Sequence, residues 1–162
     1  MGLSYLGIFH TIIGIVAIIA AVVSLIRNAK IDLSRLSGKI YFYGTLVASL
    51  TALGLSSVKG VNPGHILALL IVILISVAYF LYLKKPGRRR SRFVENFFLS
   101  LSFFLSLLPT VNETFTRIPV GHPLATGPQD PLIAKTLLLL LVLFIVGSIL
   151  QFRKQQRMNK LS

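Results

Sequence analysis

Apolar runs the length of a membrane-crossing helix dominate this chain, separated by short polar or basic stretches. A helix needs roughly 20 apolar residues to cross a hydrocarbon core about 30 Å thick. Positions 3–26, 40–58, 65–83 and 132–152 supply four such runs, and 93–108 supplies a shorter one. The short run extends past Pro109 if its helix continues to Arg117, since Glu113 and Arg117 then stand at the favourable i, i+4 spacing. Asn62-Pro63 and Asp130-Pro131 each read as an N-cap followed by proline at the first helical position. The first run has no basic n-region and is too long for an h-region, so it predicts a retained helix, not a signal peptide. The pattern predicts an all-α, polytopic membrane helix bundle. It forms one domain over 1–162, with five transmembrane helices and a proline-rich outer connection over 109–131 that caps the outer end.

Composition agrees. Of the 162 residues, 54% are hydrophobic and 13% charged, against roughly 25% charged in a soluble domain. The absence of cysteine excludes disulfides, thiolate metal sites and covalent c-type haem.

A net charge of +13 would suit a nucleic-acid binder, but the placement of the charges gives another reading. Fourteen of the 17 Lys and Arg residues fall in three segments: 27–39, 84–92 and 153–160. Those segments alternate with the apolar runs so that all three share one side of a membrane. The positive-inside rule makes that side the cytoplasm, which puts the N-terminus outside and the C-terminus in the cytoplasm. The basic loops then meet anionic lipid headgroups, and no nucleic acid is expected. Tyr41, Tyr43 and Tyr82 lie at the same level, as interfacial aromatics do.

Membrane helices associate through small residues that let backbones approach. Gly7, Thr11, Gly14, Ala17, Ala21 and Ser24 form such a stripe in the first helix, and Gly44, Ala48, Ala52 and Ser56 in the second. Ser102 and Ser106 in the fourth helix, and Gly147 and Ser148 in the fifth, extend the expectation of one packed bundle.

All three histidines map to the outer half. His10 lies about two turns into the first helix on its small-residue stripe, His65 in the first turn of the third helix, and His122 in the outer connection with Glu113, Arg117 and Asp130. Imidazole is a good ligand for haem iron or a divalent metal. Two histidines on different helices would clamp a haem, whereas three with Glu113 would hold a metal ion. A pocket lined by His10, His65, Glu113, Arg117 and His122 would also suit a quinone-like molecule. The plainer reading has His10 hydrogen-bonding a neighbouring helix and the other two lying at the interface. Glu113 and Arg117 read as a local ion pair, Glu95 and Asn96 as partners of the cytoplasmic cations, and Lys135 as a snorkelling side chain. No charged residue lies near a bilayer midplane, and no catalytic triad, phosphate-binding loop or zinc-protease motif is present. These absences point away from a proton-coupled pump and from an enzyme.

His10-x-x-x-Gly14, Arg35-x-x-Gly38-x-x-Tyr41, the Gly/Ala-rich second helix and Asn-Glu-Thr-x-x-Arg at 112–117 together carry a resemblance. They resemble the uncharacterised bacterial predicted-membrane-protein families classed as domains of unknown function. Members of these families resemble small haem- or oxidase-associated proteins in their helix-borne histidines. Where many members carry a histidine just before the Arg-x-x-Gly-x-x-Tyr element, this chain has Ser34. The resemblance implies a bacterial inner membrane and no settled activity. The expected function is that of a binding or accessory protein for haem, a metal or a quinone-like molecule. A structural subunit of a larger membrane complex, or of a homo-oligomer, is the alternative, and a small transporter comes third.

Overall fold

Three of the helices start where the sequence offers a side-chain acceptor for their free amides. In a computed structural model, residues 4–55, 62–84 and 88–161 are described, with side chains as far as Arg157. The Ser4 hydroxyl accepts the Gly7 N–H at 3.1 Å and opens α1 (Tyr5–Asn28). Asn62 Oδ1 accepts the His65 N–H at 3.0 Å and opens α3 (Pro63–Lys84). Asp130 Oδ1 accepts the Leu132 N–H at 2.9 Å and opens α5 (Pro131–Leu161). Both Asx-Pro starts lie where the sequence predicts them. The remaining helices, α2 (Leu36–Gly54) and α4 (Arg89–Arg117), begin without a side-chain cap.

The bounds of α2, α4 and α5 differ from the apolar runs. Helix α2 begins four residues before position 40 and ends at Gly54, and positions 56–58 of the expected span lie outside the described residues. Helix α4 runs unbroken through Pro109 to Arg117, so the outer connection shortens to 118–130. A proline inside a helix removes one N–H donor. The flanking Ser106 and Thr110 hydroxyls donate to the carbonyls of Ser102 and Ser106, at 2.9 and 2.8 Å. Helix α5 continues beyond position 152 into the basic tail, because polar residues with good helix propensity follow the apolar run.

Four helices, α1, α3, α4 and α5, are long and apolar enough to cross a membrane. Helix α2 is the exception, since Lys39, Tyr41, Tyr43, Thr45, Ser49 and Thr51 dilute its apolar character. Several of those groups turn inward, and Tyr41, Thr45 and Ser49 are buried.

Among the described residues, consecutive helices pack side by side, α1 also touches α4, and α4 is the one helix that α5 touches. The contacts define two ends. At the basic end, Asn96 near the start of α4 bonds Gln155 near the end of α5, and Phe42 of α2 stacks on Tyr79 of α3 at 4.5 Å. At the other end, His10 of α1 reaches Ala48 and Thr51 of α2. The first basic loop and the starts or ends of α4 and α5 that carry the other cations therefore share one end. The described histidines lie toward the opposite one.

The core is built from small side chains and a few large ones. Ala17, Ala20, Ala21, Ile75, Ala78 and Leu99 are buried around Tyr41, whose hydroxyl bonds Ser102 Oγ at 2.7 Å. A Cβ at Gly44 would meet the Ala17 Cβ at 3.0 Å, so the absence of a side chain sets the α1–α2 distance. In α2 the stripe is used differently from expectation. Gly44 and Ala48 face α1, whereas Gly38, Tyr41, Phe42, Thr45 and Ser49 form the buried face. Gly147 of α5 meets nothing within 4 Å. The α4–α5 seam is aromatic instead, with Phe144 against Phe97 and Phe104 and Phe152 against Phe93.

The connection between α1 and α2 is tightly organised. Ser24 Oγ, fully buried, donates to the Lys30 carbonyl at 3.1 Å and accepts the Asp32 N–H at 3.0 Å. Ile31 and Leu33 point into the core on either side of Asp32, each 1% exposed. Gly38 lies against this turn, and a Cβ there would stand 2.0 Å from the Asp32 carbonyl oxygen. That contact is backbone, which no rotamer change relieves. Gly38→Ala is expected to destabilise the detergent-purified protein by about 2 kcal/mol or more, as overpacking against backbone does. Gly147→Ala should leave the thermal midpoint unchanged or raise it, since alanine is the better helix former. Equal midpoints for wild type and Gly38→Ala would contradict the contact.

Candidate functional site

His10 is half-buried where α1 meets the last turns of α2. Its Nδ1 lies 2.9 Å from the Ala48 carbonyl oxygen and 3.2 Å from Thr51 Oγ1. A carbonyl only accepts, so Nδ1 carries the proton and donates. Thr51 uses its own hydroxyl proton on the carbonyl of Val47 or Ala48, both at 2.9 Å, which leaves its oxygen free to accept from His10. In the neutral ring this places a lone pair on Nε2, which makes no hydrogen bond among the described residues. A backbone carbonyl holding one ring nitrogen while the other stays free is the arrangement that orients a ligating histidine.

His65 is placed differently. Its N–H completes the Asn62 cap, and the Asn62 N–H approaches His65 Nδ1 at 3.5 Å in the reciprocal manner of a capping box. That contact puts the ring proton on Nε2, a buried atom without a partner among the described residues. His122 is exposed in a turn closed by its own N–H on the Pro119 carbonyl at 3.2 Å. Glu113 and Arg117 pair with each other across one turn of α4, both side chains more than half exposed, as the sequence predicts. The shortened outer connection folds back on the end of α4 through the Ala125 N–H to the Phe115 carbonyl, with Ala125 buried. It is tied to α5 by the Thr126 N–H on Asp130 Oδ2. Two backbone amides, of Leu132 and Thr126, hold the Asp130 carboxyl below the usual carboxylate range.

Among the described residues no three of His, Asp and Glu gather closely enough to hold a metal ion. The histidines share an end of the bundle but have separate partners, so the metal site of three histidines with Glu113 is not assembled. One imidazole, His10, has both an orienting bond and an open nitrogen.

At the basic end is a polar layer that the sequence reading missed. Asn96 Nδ2 donates to Gln155 Oε1 at 3.1 Å, and Ser100 Oγ donates to Gln151 Oε1 at 2.9 Å. Asn96 therefore bonds a buried glutamine, not a basic side chain as expected. Glu95, 7% exposed beside it, lies near Lys30 and Arg92 without closing to an ion pair with either. The signal was present in the chain. Asn96/Ser100 and Gln151/Gln155 are polar pairs at i, i+4, which antiparallel neighbouring helices match rung for rung.

Lys30 pairs with Asp32 at 3.5 Å, and Asp32 Oδ1 accepts from the Ser34 N–H and hydroxyl at 3.1 and 2.8 Å. Burial works to raise the Asp32 pKa, but the Ser34 bonds and Lys30 together outweigh it and hold the carboxyl below its ordinary value. A carboxyl depressed in the folded state stabilises above its unfolded pKa and loses that contribution as pH falls through the folded one. The wild-type thermal midpoint should therefore fall below about pH 4 more steeply than that of Asp32→Asn, which starts lower at neutral pH. Parallel curves would show that Asp32 contributes nothing.

Comparison with protein-family models, curated proteins and solved structures finds no match. The fold and composition define the class, an all-helical protein with four helices able to cross a membrane.

Proposed function

We propose that this is a multi-pass protein of a bacterial inner membrane that holds haem at its histidine end, as a binding or accessory protein and not an enzyme. The orientation of His10 carries the reading. Its Nδ1–H is fixed on the Ala48 carbonyl, and its Nε2 is free to ligate. A bare divalent metal needs three or four protein ligands, and no such group gathers among the described residues. Haem supplies the equatorial nitrogens itself and asks the protein for one or two axial ligands. The same lone pair would accept from a quinol hydroxyl, but not from a quinone carbonyl, which is itself an acceptor. The resemblance drawn from the sequence supports the bacterial inner membrane.

In this reading α2 crosses the membrane with the others. It runs antiparallel to α1 and α3, packs against both, and buries Tyr41, Thr45 and Ser49. The basic end faces the cytoplasm and the N-terminus lies outside. The chain has no cysteine, so single-cysteine labelling with an impermeant reagent tests this directly. Thr126→Cys and Lys59→Cys should label from outside and Ser34→Cys should not. Protection of Lys59→Cys would remove α2 from the spanning set, and labelling of Ser34→Cys alone would invert the orientation.

Adding haemin to the purified protein should produce a saturable absorption shift of ligated haem. His10→Ala should abolish it, and Thr51→Ala should weaken it. No shift in wild type, or the same shift in His10→Ala, overturns the reading. The exposure of α5 favours a second one, a subunit that assembles in the membrane with a partner or a second copy. Only 6% of the apolar stretch of α5 is buried. Co-purification of a partner with a chain that takes up no haem would select it.

A further inference from the structure

At the basic end, a groove of about 560 Å³ runs between α1 and α2, within the roughly 300–1,000 Å³ of small-ligand sites. Its walls are Val16, Ile19, Val23 and Ile40, and its mouth carries Arg27 and Arg35. We infer that this groove holds a single anionic phospholipid, separate from the histidine end and independent of what binds there.

Three observations identify the occupant. The first is charge. Neither Arg27 nor Arg35 makes an ion pair or side-chain hydrogen bond among the described residues, although Lys30 between them is paired with Asp32. Two exposed guanidiniums converging on one opening are left for an anion from outside the chain, and guanidinium matches phosphate oxygens in a bidentate manner. The second is depth. From Val16 to Arg27 is eleven residues, about 16 Å of helix. That is about half of a roughly 30 Å hydrocarbon core, the reach of an acyl chain in one leaflet. The third is openness to lipid. Val16 and Ile19 are 49% and 57% exposed, so the apolar wall lies on the outer surface of the bundle.

The rigidity of the connection makes this a formed site. Ser24, Gly38 and the buried Ile31 and Leu33 hold the end of α1 against the start of α2, so the two arginines have a set spacing. Arg35 is the N-cap residue of α2, and no side chain caps that helix start. Asn28 and Ser37 at the rim add neutral hydrogen-bonding groups for the headgroup.

The test is native mass spectrometry of the delipidated full chain in detergent, titrated with phosphatidylglycerol or phosphatidylcholine. Wild type should retain one phosphatidylglycerol per chain in preference to phosphatidylcholine. Arg27→Gln with Arg35→Gln should weaken that binding by roughly 10- to 30-fold, the size two cationic side chains supply at a headgroup. Arg157→Gln, which removes a basic-end charge outside the groove, should leave it unchanged. Ile19→Trp should weaken it with no change of charge, and since Ile19 is an outer-surface residue the fold is retained. Equal retention of the two lipids, or a loss in Arg157→Gln as large as in the arginine pair, overturns the proposal in favour of diffuse electrostatic attraction. An unaffected Ile19→Trp overturns the seated acyl chain.

Discussion

The buried hydroxyl of Ser24 is the point on which much of this architecture turns. It donates to the Lys30 carbonyl and accepts the Asp32 N–H, so one side chain satisfies two backbone groups of a reversing chain. Unpaired backbone groups near lipid cost several kcal/mol each by typical values, which makes such a device worth keeping in a membrane bundle. Once the reversal is set, Gly38 can lie on the Asp32 carbonyl and Gly44 on Ala17, and the register of α2 on α1 follows. That register carries consequences at both ends. It brings Arg27 and Arg35 to one groove mouth, and roughly 20–26 Å away along the helix pair it places the Ala48 carbonyl against the His10 ring.

The bundle separates two kinds of polar chemistry. At the basic end, Asn96 on Gln155 and Ser100 on Gln151 hold helices together, while Ser91 Oγ is buried without a partner and Glu95 closes no ion pair among the described residues. At the histidine end, among the described residues, His65 Nε2 is buried without a partner and His10 Nε2 makes no hydrogen bond. Polar groups bonded to their own neighbours have little left for a ligand, and buried groups left unbonded are costly enough to invite one. The proposed haem would use the open nitrogen of His10, and the proposed lipid the surface guanidiniums of Arg27 and Arg35.

Helix α5 stands apart from the rest. Among the described residues α4 is the one helix it touches, through a seam of phenylalanines and the polar pairs Asn96–Gln155 and Ser100–Gln151. A soluble bundle could not leave such an apolar helix uncovered, but hydrocarbon chains solvate it as well as leucine does. The sequence marks it as a span by length and composition. Neither property says how few neighbours it has.

The sequence by itself determined the number of helices, both Asx-Pro starts and the Glu113–Arg117 pair, and it left open the crossing of Pro109, which the structure shows. These rest on local spacing, capping and apolar length, which need no knowledge of neighbours. It also sorted the cations and histidines to opposite ends, because alternation of antiparallel helices is a counting argument. The tertiary structure decided which face of α2 is buried, that Asn96 bonds Gln155 and not a cation, and that the three histidines have separate environments. It also decided which nitrogen of His10 is free. Each of those depends on the rotation and register of one helix against another. Both are set by side-chain contacts between residues tens of positions apart, such as Gly44 on Ala17 and Tyr41 on Ser102, and by the turn at Ser24 that aligns them.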